Sequence, residues 1–438
     1  MGEMEKEFVD YLRYNGHFNR LMIQLRDNYK RLGHLGGTIK IPNATCDELH
    51  ALEGLLGLSF DGETDIKITY QKLLKRLAGT KFEQLDFTRV LALYFNKEIV
   101  TNRVKRSKRE ATIEEATQEL MSIYQDSSVA AWFVHVQTIN PQLFSRCINQ
   151  FLADKSVIIK SFNAINQLPF WQDAMVSLSV FAADVTTDPH FFDKGLAATI
   201  LHDAIYYFLD IQEKSLTAIE RNKILLKAGL MKEDALNYCI TSRIFARTKD
   251  DDEHTGLTYF GMHYEPLNLN VANLLSIDRI EQAKLALIVE NPSVFHQLNN
   301  TIKIHQLQEI ALICSGGELN LAAHLLLDKL HEGDILMYYA GDFDPEGLLI
   351  ADKLKRKYGS NLILWGYKLE EYKKAKSTKL IDDQRLEKLK NCVSAELEVI
   401  KEALIKHRNP GYQEALIPWY QAKILELDKK SRRAVEYY

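Results

Sequence analysis

The chain is short of most features that announce a chemistry outright. Its five cysteines (Cys46, Cys147, Cys239, Cys314 and Cys392) are scattered and odd in number. They have no metal-ligand spacing, which excludes a zinc finger and a disulfide framework and suits a reducing compartment. No apolar run approaches the length of a membrane span. The stretch from Met1 to Glu7 lacks the basic-then-apolar order of a signal peptide, so a soluble, cytoplasmic protein with no membrane partner is expected. Strong charge of one sign is also missing. A net charge of −4 means that any nucleic-acid contact must come from a local basic patch. No repeat, low-complexity tract or nucleotide-binding loop interrupts a composition that is 46% hydrophobic and 26% charged, and 438 residues suffice for two to four domains with sizeable cores.

What is present begins at residue 285. Apolar runs at 285–289, 310–313, 335–339 and 362–365 each end in polar or glycine-rich residues, with helical periodicity between them. Continuous apolar runs suit strands buried on both faces. Residues 319–330, rich in Leu and Ala and free of Gly and Pro, illustrate the intervening helices. This alternation predicts an α/β unit with a four-stranded parallel sheet joined by right-handed crossovers.

Acidic residues follow two of the strands. Glu290 ends the first, and Asp342 and Asp344 end the third, two residues apart and so on one face of extended chain. Ligands of open parallel sheets bind beyond the carboxyl ends of the strands. If the first and third strands are neighbours, three carboxylates converge, and they repel one another unless protonated or holding a cation. An all-oxygen set favours Mg²⁺ or Mn²⁺. The bland alternative is that each acid caps a helix.

These residues resemble the Toprim domain of topoisomerases, primases and some nucleases. The fuller pattern is Val289-Glu290-Asn291-Pro292, Cys314-Ser315-Gly316-Gly317, Gly341-Asp342-Phe343-Asp344 and the late Gln413-Glu414-Ala415-Leu416-Ile417-Pro418. It resembles the Toprim subunit of bacterial Wadjet-type anti-plasmid systems, the JetD-like proteins. Less specific matches extend upstream through Gly37-Thr38-Ile39, the segment 51–57 and Leu226-Lys227-Ala228-Gly229. The resemblance implies a Rossmann-like Toprim fold and a Mg- or Mn-dependent endonuclease, active as a homodimer on double-stranded plasmid DNA presented by an SMC-family, condensin-like complex. It implies Glu290, Asp342 and Asp344 as catalytic metal ligands. Related sequences often carry Trp-Pro after the Asp-x-Asp, where this chain has Pro345-Glu346. Glu346 either adds a fourth carboxylate or starts the helix, and the sequence leaves both open.

The remaining chain reads as an N-terminal α+β region over 1–115, a mainly helical region over 116–275, the Toprim domain over 276–380 and a helical tail over 381–438. Thr38–Ile41 and 66–68 alternate like short strands, and Thr45-Cys46-Asp47-Glu48 matches a capping box. Residues 215–248 read as helix, turn at Gly229, helix, ending with Arg243 and Arg247: either a helix-turn-helix or winged-helix unit that binds DNA, or two packed helices. The densest basic cluster, Arg103, Lys105, Arg106, Lys108 and Arg109, is placed before a helix that Thr112 would cap, and is either a phosphate-contacting segment or a solvated face. Lys373, Lys374 and Lys376, with Lys368 and Lys379, follow the fourth strand on the carboxylate side and offer a second phosphate contact. The tail places Leu386, Leu389, Val393 and Leu397 at helical spacing.

Two further functions stay open. A strand-breaking transesterase, like the topoisomerase VI group, would need an activated tyrosine, and Tyr206, Tyr207, Tyr238, Tyr259 and Tyr264 are available. A non-catalytic DNA-binding adaptor would not need three like charges held together. A primase would need template-capturing zinc spacing, which is missing.

Overall fold

The computed structural model describes residues 2–60, 62, 64–213, 216–232 and 236–435. The chain forms two units, Met1–Lys155 and Ser156–Tyr438.

In the first unit, Thr38–Ile41 pairs antiparallel with Ile66–Thr69. The inward Ile39, Ile41, Ile66 and Ile68 join Phe8, Leu12, Leu25 and Leu91 in a core of their own. The capping box at Thr45 and Glu48 forms as the sequence implies. The basic cluster corrects its expected place. It lies inside one helix, Asn102–Ile123, capped by Thr101, while the Thr112 hydroxyl donates to the Lys108 carbonyl. Lys, Arg, Glu and Ala are good helix formers, and nothing in 102–123 breaks the turn.

The second unit is built on a six-stranded sheet. In chain order its strands are β1 (Tyr238–Ser242), β2 (Leu267–Asn270), β3 (Leu285–Val289), β4 (Ile310–Cys314), β5 (Leu336–Ala340) and β6 (Leu362–Leu364), lying in space as β6-β5-β3-β4-β1-β2. The four expected strands are parallel to one another. The expectation of a purely parallel four-stranded sheet is corrected by β1 and β2, which extend it antiparallel beyond β4. The same strands overturn the second helix expected after Gly229. Beyond that turn the chain runs into Leu230–Met231, β1 and Phe245–Thr248, all extended, although residues 215 and 233–235 of that segment lie outside the described residues. The Ile, Thr and aromatic content of 238–248 suits strands and outweighs its helical spacing. Arg243 is a packing residue here. It is buried, donates to the carbonyls of Gly261 and Gln308, and lies between the rings of Phe245 and Tyr264.

All five residues of β3 and all five of β4 are buried, as central strands require. Helices α1 (Pro292–Ile304), α2 (Leu321–Glu332) and α3 (Pro345–Tyr358) make the crossovers. Each starts at a side-chain cap, Asn291, Asn320 or Asp344, and two carry proline in the first turn. The path turns right from β3 to β4 and left from β5 to β6. Connections therefore diverge between the carboxyl ends of β3 and β5, where open α/β sheets bind ligands.

The tail is not the continuous helix its leucine spacing suggests. Residues 383–397 break into a short helix, Asp383–Glu387, and two 3₁₀ turns, and Val393 is 64% exposed. The cause is Asp352 on α3, fully buried, whose Oδ1 accepts hydrogen bonds from the Val393 and Ser394 amides and the Ser394 hydroxyl. An ionised buried carboxylate needs such donors, and meeting that need unwinds the backbone. Leu389, Leu397, Leu416 and Tyr420 still enter the sheet's core. No described helix is long and apolar enough to cross a membrane.

Candidate metal centre

Glu290 follows the last residue of β3, and Val289 pairs in register with Ala340 of β5. That register sets Glu290 beside Gly341 and Asp342. The Asp342 amide donates to Glu290 Oε2 at 3.3 Å. A third segment closes the site. The backbone amide of Gln413 donates to Asp342 Oδ1 at 2.9 Å, and its side-chain Oε1 accepts from the amides of Glu290 and Asn291 at 3.3 and 3.1 Å. Gln413 is fully buried, so one residue ties both strand ends together.

The approach is close enough to require glycine at 341. A Cβ there would lie 2.7 Å from Glu290 Oε2, 2.8 Å from the Tyr367 hydroxyl and 2.9 Å from the Tyr339 hydroxyl. Both hydroxyls are buried and have no hydrogen-bond partner among the described residues. Burial first, then Glu290 for Tyr339 and the adjacent Tyr339 phenol followed by Glu290 for Tyr367, holds both phenols well above their ordinary pKa, so they stay protonated. Gly341→Ala is expected to cost about 1–3 kcal/mol through overpacking, read as a lower urea midpoint. An unchanged midpoint would mean that the three oxygens are not packed around this position.

The electrostatics divide the acids into two groups. Burial, then the charge of Asp342, pushes Glu290 up to about 7. Burial pushes Asp342 up to about 6, against the Gln413 hydrogen bond and with help from Glu414 and Asp344. Among the described residues these two carboxylates have no positive partners. Asp344 and Glu346 have them. Asp344 Oδ1 caps α3 by accepting from the Gly347 amide at 2.8 Å, and Oδ2 pairs with Arg385 Nη2 at 2.7 Å. Glu346 pairs with Arg385 at 2.6 Å and Lys388 at 2.8 Å. Burial opposes its charge, but those two bonds outweigh it and hold Glu346 down to about 2. Glu346 thus both sits in the first turn of α3 and serves as an anchor for Arg385.

Among the described residues no three His, Cys, Asp or Glu side chains form a ready-made metal cage. Both oxygens of Asp344 are engaged, by the Gly347 amide and by Arg385. Glu290 and Asp342 nevertheless fit a hard divalent cation: they are oxygen donors on adjacent strand ends whose charge no described residue compensates. Asp344 would complete the set by yielding its Arg385 contact.

The basic candidates fall in separate places. Arg103, Lys105, Arg106, Lys108 and Arg109 are all exposed on the first unit's helix, with Arg106 paired to Glu110 at 2.8 Å. Lys373 and Lys374 are exposed on α4 (Leu369–Ala375). Lys376 bridges through its backbone to Gly411, which bridges in turn to Phe343 between the two aspartates. Two strand spacings, about 4.8 Å each, therefore separate the backbones of 376 and 343. Of the tyrosines weighed from sequence, Tyr264 faces Arg243 and Tyr259 faces His263, while the hydroxyls facing Glu290 belong to Tyr339 and Tyr367. Sequence reasoning assigned no role to those two, Arg385 or Gln413. Only Gln413 had a signal, its place in the late Gln-Glu-Ala-Leu-Ile-Pro motif.

Comparison with known families gives two matches. Residues 35–243 match a family model described as "Protein of unknown function N-terminus (DUF3323)". Residues 266–424 match one described as "Protein of unknown function C-terminus (DUF2399)", which takes in every carboxylate of the site as well as Arg385 and Gln413. No curated protein matches the chain. The chain therefore pairs a DUF3323-type N-terminal region with a DUF2399-type C-terminal region.

Proposed function

We propose that this protein is a Mg²⁺- or Mn²⁺-dependent DNA endonuclease of Toprim type, the JetD-like subunit of a plasmid-defence system. The observation that carries the proposal is the pair Glu290 and Asp342. They are two half-buried carboxylates just beyond the ends of adjacent parallel strands at the divergence point of the sheet, without a positive partner among the described residues and with Asp344 next to them. The two family matches support it as well, since paired N- and C-terminal regions are what the JetD-like resemblance implies.

A divalent cation bound there would polarise the scissile phosphate and lower the pKa of an attacking water. Asp342 and Glu290 would hold it, with Asp344 joining from the same turn. Gln413 fixes the backbone of both strand ends, and the Tyr339 and Tyr367 hydroxyls crowd Gly341 together with Glu290 Oε2. Alternatively, Glu290 would take the proton of the attacking water instead of holding the cation. In this reading the substrate is double-stranded plasmid DNA delivered by an SMC-family complex, and the active species is a cytoplasmic homodimer. No observation favours the tyrosine transesterase or the non-catalytic adaptor.

The test is incubation of plasmid DNA with the purified protein, alone and with the SMC-family complex, in Mg²⁺, Mn²⁺ or EDTA. Metal-dependent linear product with free 5′ phosphate is expected. A protein-linked DNA end would point to the transesterase, and metal-independent binding without cleavage to the adaptor.

The lysines give a second expectation. Lys373, Lys374 and Lys376 have no carboxylate partner among the described residues, and their segment runs beside the Asp-x-Asp turn. Replacing all three by Gln should lower the log–log salt slope of DNA binding by about two to three, because each phosphate contact contributes roughly 0.9. An unaltered slope in catalytically inactive protein means that DNA does not run over this patch.

A further inference from the structure

Among the groups that the proposed metal chemistry leaves unused, Arg385 is the one most completely built into the site. It lies on the short helix Asp383–Glu387, whose first turn is fixed by the Asp382 carboxylate accepting from the Arg385 amide at 2.8 Å. Its Nε donates to both oxygens of Glu346 at 3.0 and 3.3 Å, and its Nη2 donates to Glu346 at 2.6 Å and Asp344 at 2.7 Å. Lys388 holds the same Glu346 from the other side at 2.8 Å. Among the described residues Nη1 has no partner, although the side chain is only 36% exposed.

Charge explains what this arrangement does. Asp344 and Glu346 are balanced by Arg385 and Lys388, so the quartet is neutral and rigid. One edge of the guanidinium is consumed in that balance. What remains free is Nη1, whose two N–H groups lie beside the carboxylate turn, and a guanidinium held in fixed orientation loses little further freedom when one of them binds an oxyanion oxygen. A lysine-rich surface would not need such anchoring. The anchor makes sense for a cation that must stand at one place beside the Asp342–Asp344 turn.

We propose that Arg385 is the phosphate-binding residue of this site, held by Glu346 so that Nη1 grips a non-bridging oxygen of the DNA phosphate adjacent to Asp342 and Asp344. The assignment rests on the nuclease reading above. It also gives Glu346 its role, as a positioning residue that fixes the arginine. The contact of Arg385 with Asp344 is the part that would yield if Asp344 held a cation, because guanidinium and metal ion would repel.

The experiment compares wild type with Arg385→Gln, Arg385→Lys and Glu346→Gln by three readouts: DNA affinity against salt in EDTA, Mn²⁺ binding by spin-resonance titration, and cleavage at saturating DNA. Arg385→Gln should lower the salt slope by about one and the cleavage rate on the order of 100-fold, with Mn²⁺ affinity unchanged or tighter. Arg385→Lys should restore the slope, since it keeps the charge, but not the rate, since it loses the fork. Glu346→Gln, which leaves the arginine in place but loosens it, should lower the rate while keeping the slope, and provides the test if Arg385→Gln fails to fold. The proposal is overturned if Arg385→Gln leaves slope and rate unchanged, or if Mn²⁺ affinity falls with the rate, as loss of a structural tether would produce. Should wild type cut no DNA with any metal while the slope still drops in Arg385→Gln, the phosphate site stands and the nuclease reading falls. If wild type cuts DNA and the slope is the same in Arg385→Gln, the nuclease reading stands and the phosphate site falls.

Discussion

Asp342→Asn is expected to reduce metal-dependent DNA cleavage on the order of a thousandfold while leaving the fold intact. A bound cation contributes several kcal/mol of charge stabilisation, and each 1.4 kcal/mol is about tenfold in rate. The amide keeps an oxygen for the Gln413 amide to donate to, so the tie between the two strand ends survives. What goes is the negative charge that would hold the cation. Asp344 needs more care. It is the N-cap of α3, so Asp344→Ala removes the Gly347 hydrogen bond, a loss of about 1 kcal/mol, and the Arg385 contact as well. Asp344→Asn retains the cap and is the cleaner variant. Purified Asp342→Asn that still cuts plasmid DNA in Mg²⁺ at a rate near wild type removes Asp342 from the chemistry.

The second large effect is on stability and needs no activity. Glu290 is raised from 4.5 to about 7 and Asp342 from 3.8 to about 6. Between these values the folded chain binds more protons than the unfolded chain, so the contribution of these groups falls as pH rises. It is complete below about pH 4 and gone above about pH 7. One pKa unit corresponds to about 1.4 kcal/mol, so the two acids together cost the metal-free protein on the order of a few kcal/mol at pH 8. Glu346, Asp328 and Asp352 have lowered pKa values and act oppositely, losing their stabilisation as pH falls below the ordinary carboxylate range. The difference between wild type and Glu290→Gln isolates the site. In EDTA, Glu290→Gln should unfold at higher urea than wild type at pH 8, with the gap closing towards pH 5. Mg²⁺ should stabilise wild type at pH 8 more than the variant, because the cation replaces the missing positive charge. Parallel denaturation midpoints for the two proteins from pH 5 to pH 8 would show that Glu290 carries no such burden.

Both effects arise from residues visible in the sequence, yet their environment was not. The four parallel strands were legible because strands buried on both faces must be apolar throughout, as 285–289 and 310–314 are. The strand-end position of Glu290, Asp342 and Asp344 followed from the same runs, since polar residues mark where each run stops. The capping box at Thr45 and the paired isoleucines of 38–41 and 66–69 were legible for a similar reason: caps and alternation are local patterns with one geometric meaning. Where two local patterns competed, tertiary contacts chose. The segment after Gly229 has both helical spacing and strand-forming residues, and the open edge of β4 drew it into β1. The leucine spacing of 386–397 lost to a buried carboxylate on another helix that needed backbone donors.

The sequence by itself determined the chemical inventory: carboxylates at the ends of apolar runs, and no sulfur or imidazole set. Only the tertiary structure decided which acids are paired. Asp344 and Glu346 find Arg385 and Lys388, from a segment some 40 residues downstream, whereas Glu290 and Asp342 find each other and Gln413. Charge pairing depends on distance and burial in three dimensions, and residues separated by 39 to 123 positions come within hydrogen-bond reach here only because the tail folds back over the strand ends.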